Sequence, residues 1–182
     1  MKNNCIDQWN SFKNALSQAV TETPLEDASN AWNSSSERTQ FYFDFLLPKV
    51  SHLMELGFEK EKLFRVDAVF YKKANNGYQI PIVYIESENN VQSSYEEIYK
   101  LCCLNAPLKI LFICVPWTPE NKKLIVDDDW QYIVQDFASE DSLQGYLGII
   151  VAEWMEEGLK FYALYFDQNG NLSDEGVLVR RQ

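Results

Sequence analysis

What this sequence has little of narrows its function first. It carries a single histidine, His52, and four cysteines with no Cys-x-x-Cys pair among them. A structural zinc site draws on clustered Cys and His ligands, so zinc is disfavoured, and a lone histidine weakens any Ser-His-Asp or Cys-His mechanism. Cys102, Cys103 and Cys114 stand in apolar surroundings, where a free thiol acts as a small core side chain. His52 falls in a helical pattern and reads as a surface or core-edge residue. There is no Gly-x-x-x-x-Gly-Lys and no Gly-x-Gly-x-x-Gly, which disfavours NTP and dinucleotide binding. No apolar run reaches the roughly 18 residues that span a bilayer. Residues 1–10 are polar and lack an apolar signal core, so the expectation is a cytosolic, cytoplasmic chain with no membrane partner. Positive charge is also short: 16 Lys and Arg against 27 Asp and Glu leave a net charge of −11. Nucleic-acid binders normally show a basic footprint, so this balance counts against nucleic acid as a partner.

What is present describes an ordinary globular chain. The 182 residues fit one domain, and 46% hydrophobic residues with 14% aromatics supply an aromatic-rich core. Cys5, Trp9, Phe12, Leu16, Ala19 and Val20 recur at helical spacing, and Pro24 lies beyond the end of that helix. Residues 24–35 are polar and read as a connection, which makes 1–33 an N-terminal helix with its linker. Ser34 and Glu37 form a capping box that opens a second helix with Phe41, Phe45 and Leu46 on its apolar side. Pro48 is expected to kink or restart that helix, and Gly57 to stop it. Residues 65–72 and 79–88 read as strands around Asn75-Asn76-Gly77, a strong hairpin signal. Pro81 places part of the returning strand at an edge or a bulge.

Ile98, Leu101, Cys102 and Asn105 share one helical face, and Pro107 ends the pattern. Residues 108–115 are almost continuously apolar, as in a strand covered on both faces. Strand 82–88, helix 94–105 and strand 108–115 therefore form a βαβ unit, right-handed by the usual rule. Residues 117–128 read as a polar loop. Asp127, Asp128 and Asp129 come before a short helix through Ile133, Val134 and Phe137, where acids suit a helix N-terminus better than a metal. Residues 146–154, 159–167 and 176–179 read as a closing meander, with turns at Glu157-Gly158 and Asn169-Gly170.

The chemistry centres on the hairpin. Side chains alternate along a strand, so Glu86 and Glu88 share a face with Tyr84. Counting back from a two-residue Asn76-Gly77 turn, in which Asn75 faces Tyr78, sets Asp67 directly opposite Glu86. Opposed Cβ atoms lie about 4.5–5.5 Å apart, and two carboxylates held so closely repel unless a cation or proton intervenes. Such oxygen ligands suit Mg²⁺, which polarises phosphates and activates water. The plain alternative is a polar strand end whose carboxylates are solvated or paired with Lys62, Arg65 or Lys100. Lys60, Lys62, Arg65, Lys72 and Lys73 flank the hairpin and could form a local basic rim.

Arg65-Val-Asp-Ala-Val69, Ile82-Val-Tyr-Ile-Glu-Ser-Glu-Asn-Asn90, the helix Glu97-Ile-Tyr-Lys-Leu101 and the strand 108–115 resemble the PD-(D/E)XK nuclease superfamily. The resemblance covers roughly residues 34–116, with 117–182 adding a helix and strands. It implies an α/β, restriction-endonuclease-like mixed central sheet flanked by helices, here with a C-terminal β-meander. It implies that Asp67 and Glu86 are metal ligands for Mg²⁺, or Mn²⁺ in its place. Glu88 stands where that family usually has Lys, and would orient or deprotonate the attacking water. Glu37 matches an extra carboxylate that many members supply from the preceding helix, and Lys100 would replace the missing lysine from the next helix. The function so implied is Mg²⁺-dependent cleavage of DNA or RNA. Members that have lost catalysis make the other reading an inactive nuclease-fold module whose acidic surface binds a protein partner. A metal hydrolase acting on something other than nucleic acid has little specific support. No exposed stripe demands an oligomer.

Overall fold

The computed structural model describes residues 2–61, 64–156 and 158–182. Helix α1 (Lys2–Glu22) follows directly from its spacing: Trp9, Phe12, Leu16 and Ala19 are wholly buried and Val20 nearly so. Each large side chain so buried contributes about 1.5–3 kcal/mol. Beyond Pro24 the expected connection is instead a short helix, α2 (Leu25–Ala31), which buries only Ala28 and Ala31. Two alanines leave little apolar periodicity to detect. Helix α3 (Ser35–Gln40) starts at the expected capping box, with Glu37 N donating to Ser34 Oγ at 3.2 Å. It runs through a π-helical segment, Phe41–Leu46, into α4 (Leu47–Leu53). The wide π-turn buries Phe41, Tyr42, Phe43 and Leu46 together and turns Asp44 and Phe45 outward. Pro48 falls in the first turn of α4, where a missing N–H costs little. Gly57 does not stop the helix. Glu55, at φ 56°, takes the left-handed position there, and Gly57 opens a strand.

That strand is β1 (Gly57–Lys60), followed by β2 (Ala68–Lys73), β3 (Gln79–Glu88), helix α5 (Ser94–Cys102) and β4 (Leu108–Cys114). Next comes a helical run of α6 (Pro119–Lys122), a π-helical segment (Lys123–Trp130) and α7 (Gln131–Ser139). It replaces the loop expected over 117–128. Its start signal is Thr118, whose hydroxyl accepts from Asn121 N at 3.2 Å, with Pro119 in the first turn. Asp127 and its neighbours therefore lie inside the run rather than at its N-terminus. The meander is β5 (Tyr146–Met155), β6 (Gly158–Phe166) and β7 (Leu172–Arg181), the last longer than its apolar stretch suggested. The Glu157 half of its expected first turn lies outside the described residues.

The seven strands form one open sheet in sequence order, β1 to β7. β3, β4 and β5 are parallel, as the βαβ reading requires, and every other neighbouring pair is antiparallel. The fold is thus α/β, a mixed sheet with helices on both faces. One face carries α1, α2, the first π-segment and α4 over Phe70, Ile85, Phe112 and Ile150. The other carries α5 and α7 over Tyr84, Leu111, Ile149 and Leu164. Buried Trp130 donates to Ser94 Oγ at 2.9 Å, tying the second helical run to α5. α1 can seat on β5 because residue 148 is glycine: a Cβ there would stand 2.4 Å from a Trp9 ring carbon. Of the cysteines, Cys102 is buried as expected, whereas Cys103, one helical step round, is exposed.

Candidate functional site

Hydrogen-bond register brings Asp67 to Glu86, though by a different route from the one the turn suggested. The tip of the hairpin is a three-residue loop: Ala74 N donates to Tyr78 O at 2.8 Å and Gly77 N to Ala74 O at 2.9 Å. That shifts the pairing by one, so Lys73 faces Gln79 and Tyr71 faces Pro81. A β-bulge then inserts Ile82, next to Pro81, and restores Phe70 to Val83 and Ala68 to Ile85. The two one-residue departures cancel before the site is reached. Asp67, just ahead of β2, lies beside Glu86, whose carboxylate Oε2 accepts from Asp67 N at 3.4 Å. Asp67 Oδ2 in turn accepts from Ser87 N at 2.8 Å.

Helix α5 closes the cluster from the face that Tyr84 shares. Lys100 Nζ pairs with Glu86 Oε1, donates to Arg65 O at 2.9 Å and lies 3.4 Å from Glu97 Oε2. Glu86 is 1% exposed. Burial, with Asp67 and Glu97 adding repulsion, pushes its carboxyl up to about 8 despite the opposing pull of Lys100. Burial also raises Asp67, against the hydrogen bond from Ser87 and the other groups that lower it. For Lys100, burial works against the charge, but Glu86 and Glu97 outweigh it and the ammonium holds its proton more firmly than usual. The approach to Asp67 is strained: Phe64 and Arg65 both sit at φ 57°, a region side-chain-bearing residues seldom occupy. Phe64 is 67% exposed and stands edge-on to Tyr84, ring centroids 5.9 Å apart.

Three sequence expectations join here and two do not. Asp67, Glu86 and Lys100 form one contact network. Glu88 is directed to the chain that follows, its Oε1 accepting from Asn90 N at 2.6 Å. Glu37 makes its capping box, with Ser34 Oγ donating to its Oε2 at 2.9 Å. Among the described residues no group of three His, Cys, Asp or Glu side chains is placed to hold an ion. Of the basic rim, Lys60 pairs with Asp44, while Lys72 and Lys73 lie at the far end of β2 from Asp67. Lys62 lies outside the described residues. Sequence reasoning missed Glu97, which the i, i+3 spacing to Lys100 could have revealed. It also missed Asn89, whose Oδ1 accepts from Arg38 Nε at 3.1 Å and links β3 to α3. Asn89 and Asp67 line an open groove of about 520 Å³ between the strand ends and α3.

Comparison with known protein families finds no match, and comparison with curated proteins finds none either. Among solved structures the chain is similar to the central domain of yeast acetyl-CoA carboxylase, at 8% identity and a TM-score of 0.44. That alignment covers 98% of this chain and 35% of the other.

Proposed function

We propose that this chain is a metal-dependent nuclease with a restriction-endonuclease-like core, in which Asp67 and Glu86 hold Mg²⁺ or Mn²⁺. The observation that carries this reading is the meeting of two buried or half-buried carboxylates with one lysine at the end of the sheet. The order of elements supports it too: antiparallel β1–β2–β3, then α5, then β4 parallel to β3. The donors fit such an ion. They are carboxylate oxygens, both raised by burial, and a divalent cation beside them would offset the cost of their burial and the repulsion between them. Bound there, the ion supplies a Lewis acid for a phosphodiester oxygen and makes a nearby water more acidic.

The chain's own groups do the rest. Ser87 N holds Asp67 in place, and the Asp67 backbone in turn meets Glu86. Lys100, already on Glu86, takes the part that the resemblance gives to a lysine at position 88, two residues on from Glu86, and can place positive charge where a phosphate gains negative charge. Its contact with Arg65 O steadies the strained segment before Asp67. The Glu88 role as a water-orienting group would require its carboxylate to leave Asn90 N. The test is calorimetric binding of Mg²⁺ and Mn²⁺ to the wild type and to the Asp67→Ala/Glu86→Ala double variant, followed by cleavage assays. Binding absent from a folded wild type, or unchanged in the variant, ends this reading.

The second reading, a nuclease-fold protein that binds a protein partner without cutting, draws on a specific observation. Of the expected rim among the described residues, Lys72 and Lys73 stand away from the site and Lys60 is paired with Asp44, which leaves Arg65 beside Asp67. A pull-down that recovers nucleic acid and no protein would count against it.

A further inference from the structure

We infer that a second groove, between α2 and the first π-helical segment, is a docking site for a basic peptide segment of another protein, one that sets an arginine or lysine beside an apolar side chain. Neither Asp67 nor Glu86 lines this groove. The inference goes beyond both readings of the carboxylate cluster and stands whether or not the chain cuts nucleic acid.

The floor of the groove is apolar, and a change of helical pitch shapes it. Where α3 gives way to Phe41–Leu46, Phe41 stays buried while Phe45 is 64% exposed. Both line one cavity of about 530 Å³, together with Pro24 and Ala31 from the two ends of α2. That volume lies in the range of pockets that take a ligand. A π-turn inside a helical run is often found at a functional position. A phenylalanine exposed alone on a surface needs no explanation, but Phe45 shares a concave apolar lining that a partner's side chain can fill.

Charge says what fills it. Four carboxylates line the groove, those of Glu22, Asp27, Glu37 and Asp44, against the one cation of Lys49. Lys49 is taken up by Glu22 at 2.8 Å, and Asp44 pairs with Lys60. Glu37 holds only a neutral donor, the Ser34 hydroxyl, and among the described residues no cation pairs with Asp27. Two uncompensated carboxylates therefore border an apolar floor. Phosphates and anionic lipid are repelled there. A metal ion would answer the charge and leave the rings bare. A cationic side chain with an apolar neighbour answers both: the neighbour covers Phe41 and Phe45, and the cation lays its methylene stem on the ring with its head at the carboxylates. The net charge of −11 steers a basic partner toward this surface from a distance.

The experiment is fluorescence anisotropy at about 0.15 M salt, where long-range attraction is screened. The probes are three fluorescein-labelled peptides of equal length: alternating arginine and leucine, alternating arginine and serine, and alternating glutamate and leucine. The arginine–leucine peptide should bind about tenfold or more tightly than the arginine–serine peptide, and the glutamate–leucine peptide should not bind. Phe45→Ala leaves the protein's charge unchanged and should weaken arginine–leucine binding about tenfold, as loss of an aromatic anchor does. Asp27→Asn should weaken it about threefold or more. Glu140→Gln makes the same change of net charge at an exposed residue just past α7, which covers the opposite face of the sheet, and should have no effect. All three side chains are exposed, and thermal melts followed by circular dichroism check that the variants stay folded. Arginine–serine binding as tight as arginine–leucine, displacement of the peptide by an equal concentration of spermidine, equal losses from Asp27→Asn and Glu140→Gln, a folded Phe45→Ala that binds like wild type, or no binding at all would each overturn the inference. Its failure is separable from that of the nuclease reading. Metal-dependent cutting with no peptide binding would sink the docking inference alone. Peptide binding without any metal binding would sink the nuclease reading alone.

Discussion

Among the described residues two glutamates are buried in the sheet, and their surroundings differ in kind. Glu153, on β5, is 7% exposed, and both its oxygens meet neutral donors: Trp117 N at 2.8 Å and the hydroxyl of Tyr162. Glu86, on β3, is 1% exposed, and it meets a second carboxylate, a lysine and, beyond that lysine, Glu97. Fixed dipoles satisfy Glu153 where it stands, and it ties the 117 segment and β6 to β5. Glu86 is in contention with its neighbours. Burial alone therefore does not mark a site; what marks one is a buried charge that the protein leaves incompletely compensated.

The largest effect expected from this difference is on metal affinity. Replacing Asp67 and Glu86 together with alanine should lower Mg²⁺ or Mn²⁺ affinity at least about 100-fold, since even outer partners of metal ligands cost about 10- to 100-fold. Glu153→Gln should leave that affinity within error of wild type. Calorimetry on the three proteins decides it, and equal losses in both would erase the contrast.

Stability should order the two glutamates the other way. Glu153→Ala removes the acceptor from a buried N–H and a tyrosine hydroxyl, and should cost about 2–3 kcal/mol in urea unfolding. Glu86→Gln removes a charge that burial disfavours and relieves its repulsion with Asp67, so stability should hold or rise in the absence of metal. A loss from Glu86→Gln as large as that from Glu153→Ala would make Glu86 a structural ion-pair residue and weaken its place in the site.

Proton linkage gives the next, smaller effect. The Glu86 carboxyl is raised from 4.5 to about 8, so the folded state binds more protons than the unfolded chain between those values. Its contribution to stability is therefore fullest below pH 4.5, declines as pH rises through the window, and is flat above about 8. A cation must displace that proton. Metal affinity should climb by up to tenfold per pH unit below about 8 and level off above it, with proton release visible in buffers of different ionisation enthalpy. A profile flat from pH 6 to 9 would mean that Glu86 is not a ligand.

How much of this could be read from the residues depended on the range of the interactions involved. The long amphipathic helix α1, the apolar strand β4 and the Asn-Asn-Gly turn are local signals, and each appears where its pattern stands. The elements that escaped are α2, β1 and α6, all seven residues or fewer and poor in apolar periodicity, held mainly by what they pack against. The pairing of Asp67 with Glu86 was legible only because two departures cancelled, a loop one residue longer and a bulge at Ile82. No sequence rule foretells that cancellation. Alternation correctly put Glu86 and Glu88 on one face but could not show that Glu88 would bend to Asn90 N. The Lys100 contact needed the packing of α5 on β3, a tertiary fact, as did the exposure of Phe64.

The smallest effect concerns Glu37, which pattern alone left divided between two duties. In the structure it shares a capping box with Ser34, whose hydroxyl both donates to its carboxylate and accepts from its backbone N–H. It lies at the N-terminus of α3, six residues long, where an acid also suits the helix dipole. Glu37→Ala should therefore cost about 0.5–1 kcal/mol in unfolding free energy. Metal affinity should not move, because the carboxylate has no contact with Asp67 or Glu86 among the described residues. Ser34→Ala gives the control. It removes the other half of the box and leaves the carboxylate in place, so both variants should lose stability alike and neither should affect the ion. A drop in metal affinity from Glu37→Ala alone would return Glu37 to the site, and would require α3 to swing toward Asp67 across the groove that now separates them.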